Sequence, residues 1–284
     1  MNPLHAAYYA DTAASLRAEV TLSEQMAENT MRLRVRAPEI ARQIVPGQFV
    51  MLRLDSVDDP LIGRAFALYA VYGDDELEVV YVVKGKLTTR LAKITTGQRV
   101  GIWGPLGNGF EPRPCDHLLM VAGGIGQTPF LALGSEAIGR QSFPGRDSGY
   151  AGRATLLYGV RSENLIAGES EFASAGITVD LCTDDGSRGT QARVPDRLRT
   201  LLAERDASES LRVVCCGPEI MMEKTAEVCA DAGVPCQVSL ETPMACGIGI
   251  CFSCVAKVRQ PDGEWDYKRT CVEGPVFDSD KIVW

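Results

Sequence analysis

The chain has 284 residues, of which 45% are hydrophobic and 23% charged, and its formal net charge is −8. Those proportions belong to a globular protein rather than a disordered or membrane-embedded one, and the length suits about two ordinary domains with a small appendage. The acidic surplus argues against nucleic acid or an anionic membrane as a partner; no apolar run reaches the ~20 residues of a bilayer span, and residues 1–9 lack signal-peptide features, so a cytoplasmic location is expected.

From residue 15 to about 110, short β-type segments alternate with turn signals, with strands expected over 15–22, 31–37, 49–54, 66–72, 77–83 and 99–103. That density predicts a small antiparallel barrel. Only 88–94 reads as helical there, with Thr88 as its cap. Arg64-Ala65-Phe66-Ala67-Leu68 opens one barrel strand, and Lys84-Gly85-Lys86-Leu87-Thr88-Thr89 precedes the helix. An arginine, backbone N–H groups and a threonine hydroxyl are natural donors to phosphates, although Arg64 reads equally as a solvated strand-end cation. Gly104-Pro-Leu-Gly107-Asn-Gly109-Phe110 then predicts an irregular loop between domains, serving a ligand or a hinge.

Beyond residue 118 the pattern changes to apolar strands (118–122, 154–158, 178–182, 211–216, 237–240) alternating with helices (128–138, 194–203, 219–232), as in a parallel sheet covered on both faces. Residues 140–152 read as an exposed loop. The first strand runs into Val121-Ala-Gly123-Gly124-Ile-Gly126-Gln-Thr128-Pro129, where glycines would let a dinucleotide's pyrophosphate approach and Thr128 would cap the helix. Tight turns in any α/β domain use glycine, so this is a moderate signal. Cys216-Gly217-Pro218 ends a later strand, where ligands of such sheets bind or where the chain merely breaks from strand to helix.

The tail reads Met244-Ala-Cys246-Gly-Ile-Gly-Ile-Cys251-Phe-Ser-Cys254, with Cys271 seventeen residues on. C-x4-C-x2-C followed by a later cysteine is the plant-type [2Fe–2S] spacing. Structural zinc usually takes paired C-x2-C knuckles, and only one short pair is present. The other six of ten cysteines (Cys115, Cys182, Cys215, Cys216, Cys229, Cys236) lie in or beside apolar stretches and read as reduced core residues. The two histidines, His5 and His117, stand in unrelated contexts, and His117 reads as structural.

In this order, the elements resemble the ferredoxin–NADP reductase superfamily, and within it the electron-transfer subunits of NAD-linked, two-subunit dihydroorotate dehydrogenases. The resemblance spans almost the whole chain and is most specific from Met244 to Cys254 and through Lys268-Arg-Thr-Cys271 and Glu273 to Asp278. It implies FAD on a barrel domain (1–113), NAD(H) on a doubly wound α/β domain (114–240), and a [2Fe–2S] cluster on a C-terminal module (241–284) held by Cys246, Cys251, Cys254 and Cys271. Arg64, Ala65, Phe66 and Ala67 match the family's flavin motif Arg-Pro-x-Ser; Val80, Tyr81 and Val82 match its next flavin-contacting strand; Leu87-Thr88 match the Gly-Thr that meets the pyrophosphate. Gly123, Gly124, Gly126 and Thr128, with Cys216, Gly217 and Pro218, fall on its nicotinamide nucleotide site. Cys216 resembles the residue near the nicotinamide, and a buried structural thiol is an equal reading. Ala65, Ala67, Val82 and Leu87 depart from the family's proline, serine, arginine and glycine, and loss of the serine hydroxyl and the arginine guanidinium removes hydrogen bonds a flavin would receive.

The implied path runs from NADH through FAD and the cluster to an external acceptor, with no side chain acting as acid or base. The implied partner is an FMN-containing dihydroorotate dehydrogenase catalytic subunit, two of each chain forming a heterotetramer in pyrimidine biosynthesis. A related reductase serving ferredoxin or sulfur compounds is the alternative that the flavin-motif departures raise. A non-catalytic zinc or redox-sensing protein is the third reading. Glu163 and the 183–186 loop suit the free ribose of NAD while Arg161 suits a 2′-phosphate, and the resemblance favours NAD.

Overall fold

The computed structural model describes residues 12–55 and 59–284, so residues 1–9, read above for export signals, and His5 lie outside it. Among the described residues no helix is long and apolar enough to cross a membrane.

Seven antiparallel strands form the first unit: β1 (Ala14–Ala27), β2 (Thr30–Arg36), β3 (Phe49–Leu54), β4 (Arg64–Ala67), β5 (Ala70–Tyr72), β6 (Glu76–Val82) and β7 (Arg99–Leu106). Their order is β4-β3-β7-β1-β2-β6-β5. Alternation sets their register: in β2, Leu33 and Val35 are buried while Arg32, Arg34 and Arg36 point away. The segment 66–72, expected as one strand, is split between the two sheet edges. Leu68 N donates to Gln48 O at 3.0 Å and Tyr69 N to Glu78 O at 2.9 Å, so two consecutive residues bond opposite edges and close the barrel.

Two short helices cover it. The first, α1 (Pro38–Ala41), was not expected and opens on a proline, whose missing N–H costs nothing at that position. The second, α2 (Lys86–Leu91), begins before Thr88, and Gly85 is its cap at φ 96. Thr88 sits inside the helix, where its hydroxyl accepts from Lys84 N at 2.8 Å. Leu87, expected at a pyrophosphate turn, is buried in the barrel core.

The second unit alternates β8 (Cys115–Gly123), α3 (Phe130–Ala137), β9 (Ala151–Val160), α4 (Glu169–Ser174), β10 (Thr178–Thr183), β11 (Thr190–Gln191), α5 (Val194–Glu204), β12 (Leu211–Cys216), α6 (Glu219–Asp231) and β13 (Cys236–Ser239). In α5 the buried Val194, Leu198 and Leu202 recur every four residues, the stripe that seats a helix on a sheet. The tail adds a hairpin, β14 (Val255–Arg259) with β15 (Trp265–Arg269), and returns as β16 (Val276–Asp278). Sheet order is β11-β10-β9-β8-β12-β13-β16, parallel except for β16. The chain moves from β8 to one side of the sheet and resumes at β12 on the other, and that reversal opens a crevice at the strands' carboxyl ends.

Glycine lets the turns after β8 and β12 touch. A Cβ on Gly126 would come within 2.2 Å of the Cys216 carbonyl oxygen, and one on Gly217 within 3.0 Å of Gly123 N. Residues Gly124–Gln127 form a 3₁₀ turn, so α3 starts at Phe130 behind Pro129, and Thr128 is a buried turn residue rather than the cap.

Barrel and sheet are joined by charge as well as by chain. Glu78 is fully buried between Arg32 and Arg34, and across the boundary Glu171 of α4 pairs with Arg32 and accepts the Tyr69 hydroxyl at 2.7 Å. The loop leaving β7 holds the tail, since Asn108 Nδ2 donates to Val276 O at 2.8 Å and its Oδ1 accepts from Val276 N at 3.0 Å. In the loop after α3, expected to be exposed, Arg146 instead reaches inward and pairs with the buried Glu136 at 2.7 Å.

Replacing Gly126 with alanine should cost about 3 kcal/mol through the clash with Cys216 and lower the thermal midpoint by roughly 6–10 °C, read by calorimetry. The second expectation concerns His117, whose Nε2 lies 2.9 Å from Thr155 Oγ1. Burial, with Arg153 adding to it, depresses its pKa from 6.5 to about 4 against a smaller opposing pull from Glu209. Below 6.5 the unfolded chain takes up this proton and the folded one does not, so stability should fall as pH drops toward about 4. Denaturant titrations of His117→Gln should show that part of the loss flattened.

Candidate functional site

Two cavities lie between the units. The first, about 560 Å³, occupies the crevice at the carboxyl ends of the strands. Gly123 and Gly124 after β8, Gly159 to Arg161 at the end of β9, Asp184 after β10 and Pro218 after β12 line it. Gly124 has φ 56, and a Cβ there would meet nothing within 4 Å, which leaves its backbone open to a ligand. Three cations, Arg161, Arg193 and Lys224, line the cavity against Glu28 and Asp184. Crevice position, open glycine backbone and convergent cations suit a dinucleotide. No local pattern marks Arg193 or Lys224, because Arg193 immediately precedes α5 while Lys224 lies on α6, and they meet only through the fold.

The second cavity, about 330 Å³, is walled by the barrel, the sheet and the start of the tail. Arg64 to Ala67 of β4 and Val80 to Val82 of β6 form one side, Thr128 and Cys216 another, and Leu240 to Met244 the third. Apolar walls such as Phe66, Val80 and Leu240 suit a flat heteroaromatic ring, and Arg64, Lys84 and Thr128 supply donors. The Tyr81 hydroxyl is buried with no hydrogen-bond partner among the described residues, and its residue lines this cavity. Arg64 donates to Gly63 O at 2.9 Å, so its guanidinium is held at the rim. Glu241 opens onto the cavity; the surrounding protein pushes its carboxyl pKa up, and Lys84 opposes the shift.

Not every expected residue faces a cavity. Gly126 is taken up by its contact with Cys216, and neither Leu87 nor Thr88 lines either space. Cys216 faces the second cavity rather than the first, and burial first, then Glu241, drives its thiol pKa up, so it is a neutral thiol. Among the described residues only Val82 and Ile125 line both cavities. They make the apolar seam between the two.

Met244, at the far wall of the second cavity, leads directly into the cysteine loop. Gly247 and Gly249 have φ 73 and 83, and Phe252, with φ 56, adopts a conformation that a side chain of its size rarely takes. The loop is fixed by Trp103 Nε1 donating to Cys246 O at 2.9 Å, Arg269 Nη1 to Gly249 O at 3.1 Å and Thr270 N to Cys254 O at 2.7 Å. Among the described residues no three Cys, His, Asp or Glu side chains converge on one point as the ligands of a single ion would. The thiols stand as two interacting pairs, Cys246 with Cys251 and Cys254 with Cys271. A four-thiolate, two-iron cluster suits that division, two cysteines for each iron. Cys251 is exposed and lies 3.2 Å from the Ser253 hydroxyl, which chiefly lowers its thiol pKa to about 6. In the buried pair the Cys271 thiol stabilises the Cys254 thiolate, lowering its pKa, while that of Cys271 rises. Metal binding requires thiolates, and the loop favours them at Cys251 and Cys254.

Comparison with known proteins agrees with this division. Residues 17–110 match the oxidoreductase FAD-binding domain, 120–227 the oxidoreductase NAD-binding domain and 241–283 the iron–sulfur cluster binding domain of dihydroorotate dehydrogenase B. The dihydroorotate dehydrogenase B (NAD(+)) electron transfer subunit of Desulforamulus reducens is 36% identical, over 94% of this chain and 97% of that protein. Its counterpart from Geobacillus kaustophilus is 34% identical over 94% of this chain and 98% of its own length. Among solved structures, one from the NADH-dependent reduced ferredoxin–NADP oxidoreductase superposes with a TM-score of 0.80 at 26% identity, covering 94% of this chain and 90% of that one. The ferredoxin reductase of carbazole 1,9a-dioxygenase shares the fold, with a TM-score of 0.64 at 19% identity over 78% of this chain and 67% of that one. With cavities, cysteine pairs and near full-length similarity in agreement, the chain belongs to the family of dihydroorotate dehydrogenase B electron transfer subunits.

Proposed function

We propose that this chain passes electrons between NAD(H) and an FMN-containing dihydroorotate dehydrogenase catalytic subunit, by way of FAD and a [2Fe–2S] cluster, in cytoplasmic pyrimidine biosynthesis. One observation carries the reading: the dinucleotide cavity, the second cavity and the cysteine loop are contiguous, joined first by Val82 and Ile125 and then by Met244. A nicotinamide exchanges a hydride, a [2Fe–2S] cluster single electrons, and a flavin either, which is why all three groups are needed in series.

The chain's own residues bind and orient these groups. Gly123, Gly124, Pro218, Arg161, Arg193 and Lys224 would hold the dinucleotide. Arg64 to Ala67, Val80 to Val82, Lys84 and Thr128 would hold FAD, with Cys216 and Glu241 beside its ring. The apolar pair Val82 and Ile125 forms the seam between the two sites. Cys246, Cys251, Cys254 and Cys271 would ligate the cluster. The exposed Ile250 and Phe252 flank it and would meet the catalytic subunit, two of each chain forming the complex.

The proposed domains, 1–113, 114–240 and 241–284, are supported by the break between β7 and β8 and by the start of the tail match at 241. The third is not self-contained, because β16 completes the sheet of the second.

Protein purified anaerobically should contain one FAD and two iron atoms per chain. In Cys251→Ser the visible signal of the cluster should vanish while NADH still bleaches the flavin, since the two sites are built from different segments. Zinc without iron, or loss of flavin and fold in the variant, would overturn the assignment. On its own the holoprotein should oxidise NADH with artificial acceptors and form no orotate; with its cognate catalytic subunit it should support NAD-dependent dihydroorotate oxidation. Orotate formation by the chain alone would refute this division of labour. Failure to couple would favour a ferredoxin- or sulfur-linked acceptor, the reading that the departures at Ala65, Ala67, Val82 and Leu87 raise.

A further inference from the structure

The hairpin of β14 and β15 pairs Val255 with Arg269, Lys257 with Tyr267 and Arg259 with Trp265. Residues paired directly across antiparallel strands share a face. The opposite face turns Ala256 and Val258 to the core, where Val258 bridges to Ile282. The outer face therefore carries Lys257, Arg259, Trp265 and Tyr267.

Trp265 and Tyr267 are 45% and 54% exposed, with ring centres 5.2 Å apart, and Lys257 Nζ lies 4.7 Å from the Trp265 ring. The row continues to the cysteine loop, because the Arg269 guanidinium lies 5.3 Å from the ring of Phe252, itself 63% exposed. Arg269 is paired with Glu273 at 2.8 Å, whereas neither Lys257 nor Arg259 has a carboxylate partner among the described residues. Asp266 is on the other face, paired with Lys268. Contiguous exposed aromatic surface marks a docking site, and Trp, Tyr and Arg are the residues that most often carry binding energy. Unpaired cations on a chain of net charge −8 call for carboxylates on whatever covers them.

We propose that this face is an extension of the cluster-side docking surface, and that an acidic surface of the catalytic subunit covers it. The inference rests on the proposed function. The loop around Cys251 brings the cluster to the partner, and the hairpin, about five residues long on each strand, supplies affinity and orientation.

The test uses the holoprotein and its cognate catalytic subunit, with dissociation constants measured by calorimetry at low and high salt. Trp265→Ala/Tyr267→Ala and Lys257→Glu/Arg259→Glu should each weaken binding by about tenfold or more, with the visible spectrum and NADH-dependent dye reduction unchanged. Wild-type affinity should fall with salt, and the charge-reversed variant should lose that dependence. Should the aromatic variant lose its spectrum, the charge reversal at exposed strand positions decides alone. Wild-type affinity in both variants, with binding lost in Ile250→Asp, would overturn the hairpin's role and leave the proposed function standing. Variants that alter only self-association of this chain would overturn it as well. A wild-type protein that does not bind the catalytic subunit would sink both readings.

Discussion

The side-chain amide of Asn108 holds the three parts of the molecule in place. It bonds both backbone groups of Val276, while the backbone N–H of the same residue donates to Gly274 O at 2.6 Å. Beside it, a Cβ on Gly107 would meet Pro275 Cδ at 2.7 Å, and Pro275 lines the second cavity. The exit loop of the barrel, the end of the cysteine module and the edge strand of the nucleotide sheet are thus fastened at one point. Electrons pass between separate groups only at close range. A chain that must keep two cavities and a cysteine loop in contact needs such a junction.

The second clamp differs in kind. Arg32, Glu78, Glu171 and Tyr69 join barrel to sheet through buried charge, and burial raises the pKa of Glu78 against the pull of its two arginines. Buried ion pairs are poor sources of stability but are strongly directional, because a partner that moves away leaves a desolvated charge. Asn108 therefore fixes where the units meet, and the ion network fixes how they are turned. Between the two clamps runs the apolar seam of Val82 and Ile125, which has no polar group of its own to hold it.

How much could be read beforehand depended on how local each feature is. Cys246, Cys251 and Cys254 lie within nine residues of one another, so ligand spacing alone revealed the chemistry. Strands such as β3 and β12 were legible from alternation or apolar runs, and the ends of β12 matched as expected. Strand β16 was not, because three residues become a strand only by pairing with β13. The chain crossing at Leu68 and Tyr69 looked like continuous strand because no residue type there signals that its hydrogen bonds part. Leu87 sits in a motif by resemblance but in the core by structure, and its apolar side chain is the available clue. Arg193, Lys224 and Ile125 come from three separate elements, and only the folded sheet assembles them at a single crevice.

The glycines after β8 carry a lesson for reading such fingerprints across genomes. Gly124 leaves its backbone free for a ligand, whereas Gly126 has no room for a side chain against the backbone of Cys216. The two positions look alike in a motif and are held by different constraints: Gly124 by its left-handed backbone, Gly126 by the crossing of the two turns. A descendant that had abandoned the nucleotide would still need both, Gly124 for its backbone conformation and Gly126 for the crossing of the turns. Persistence of such glycines records the geometry of the fold and by itself carries no information about the cofactor.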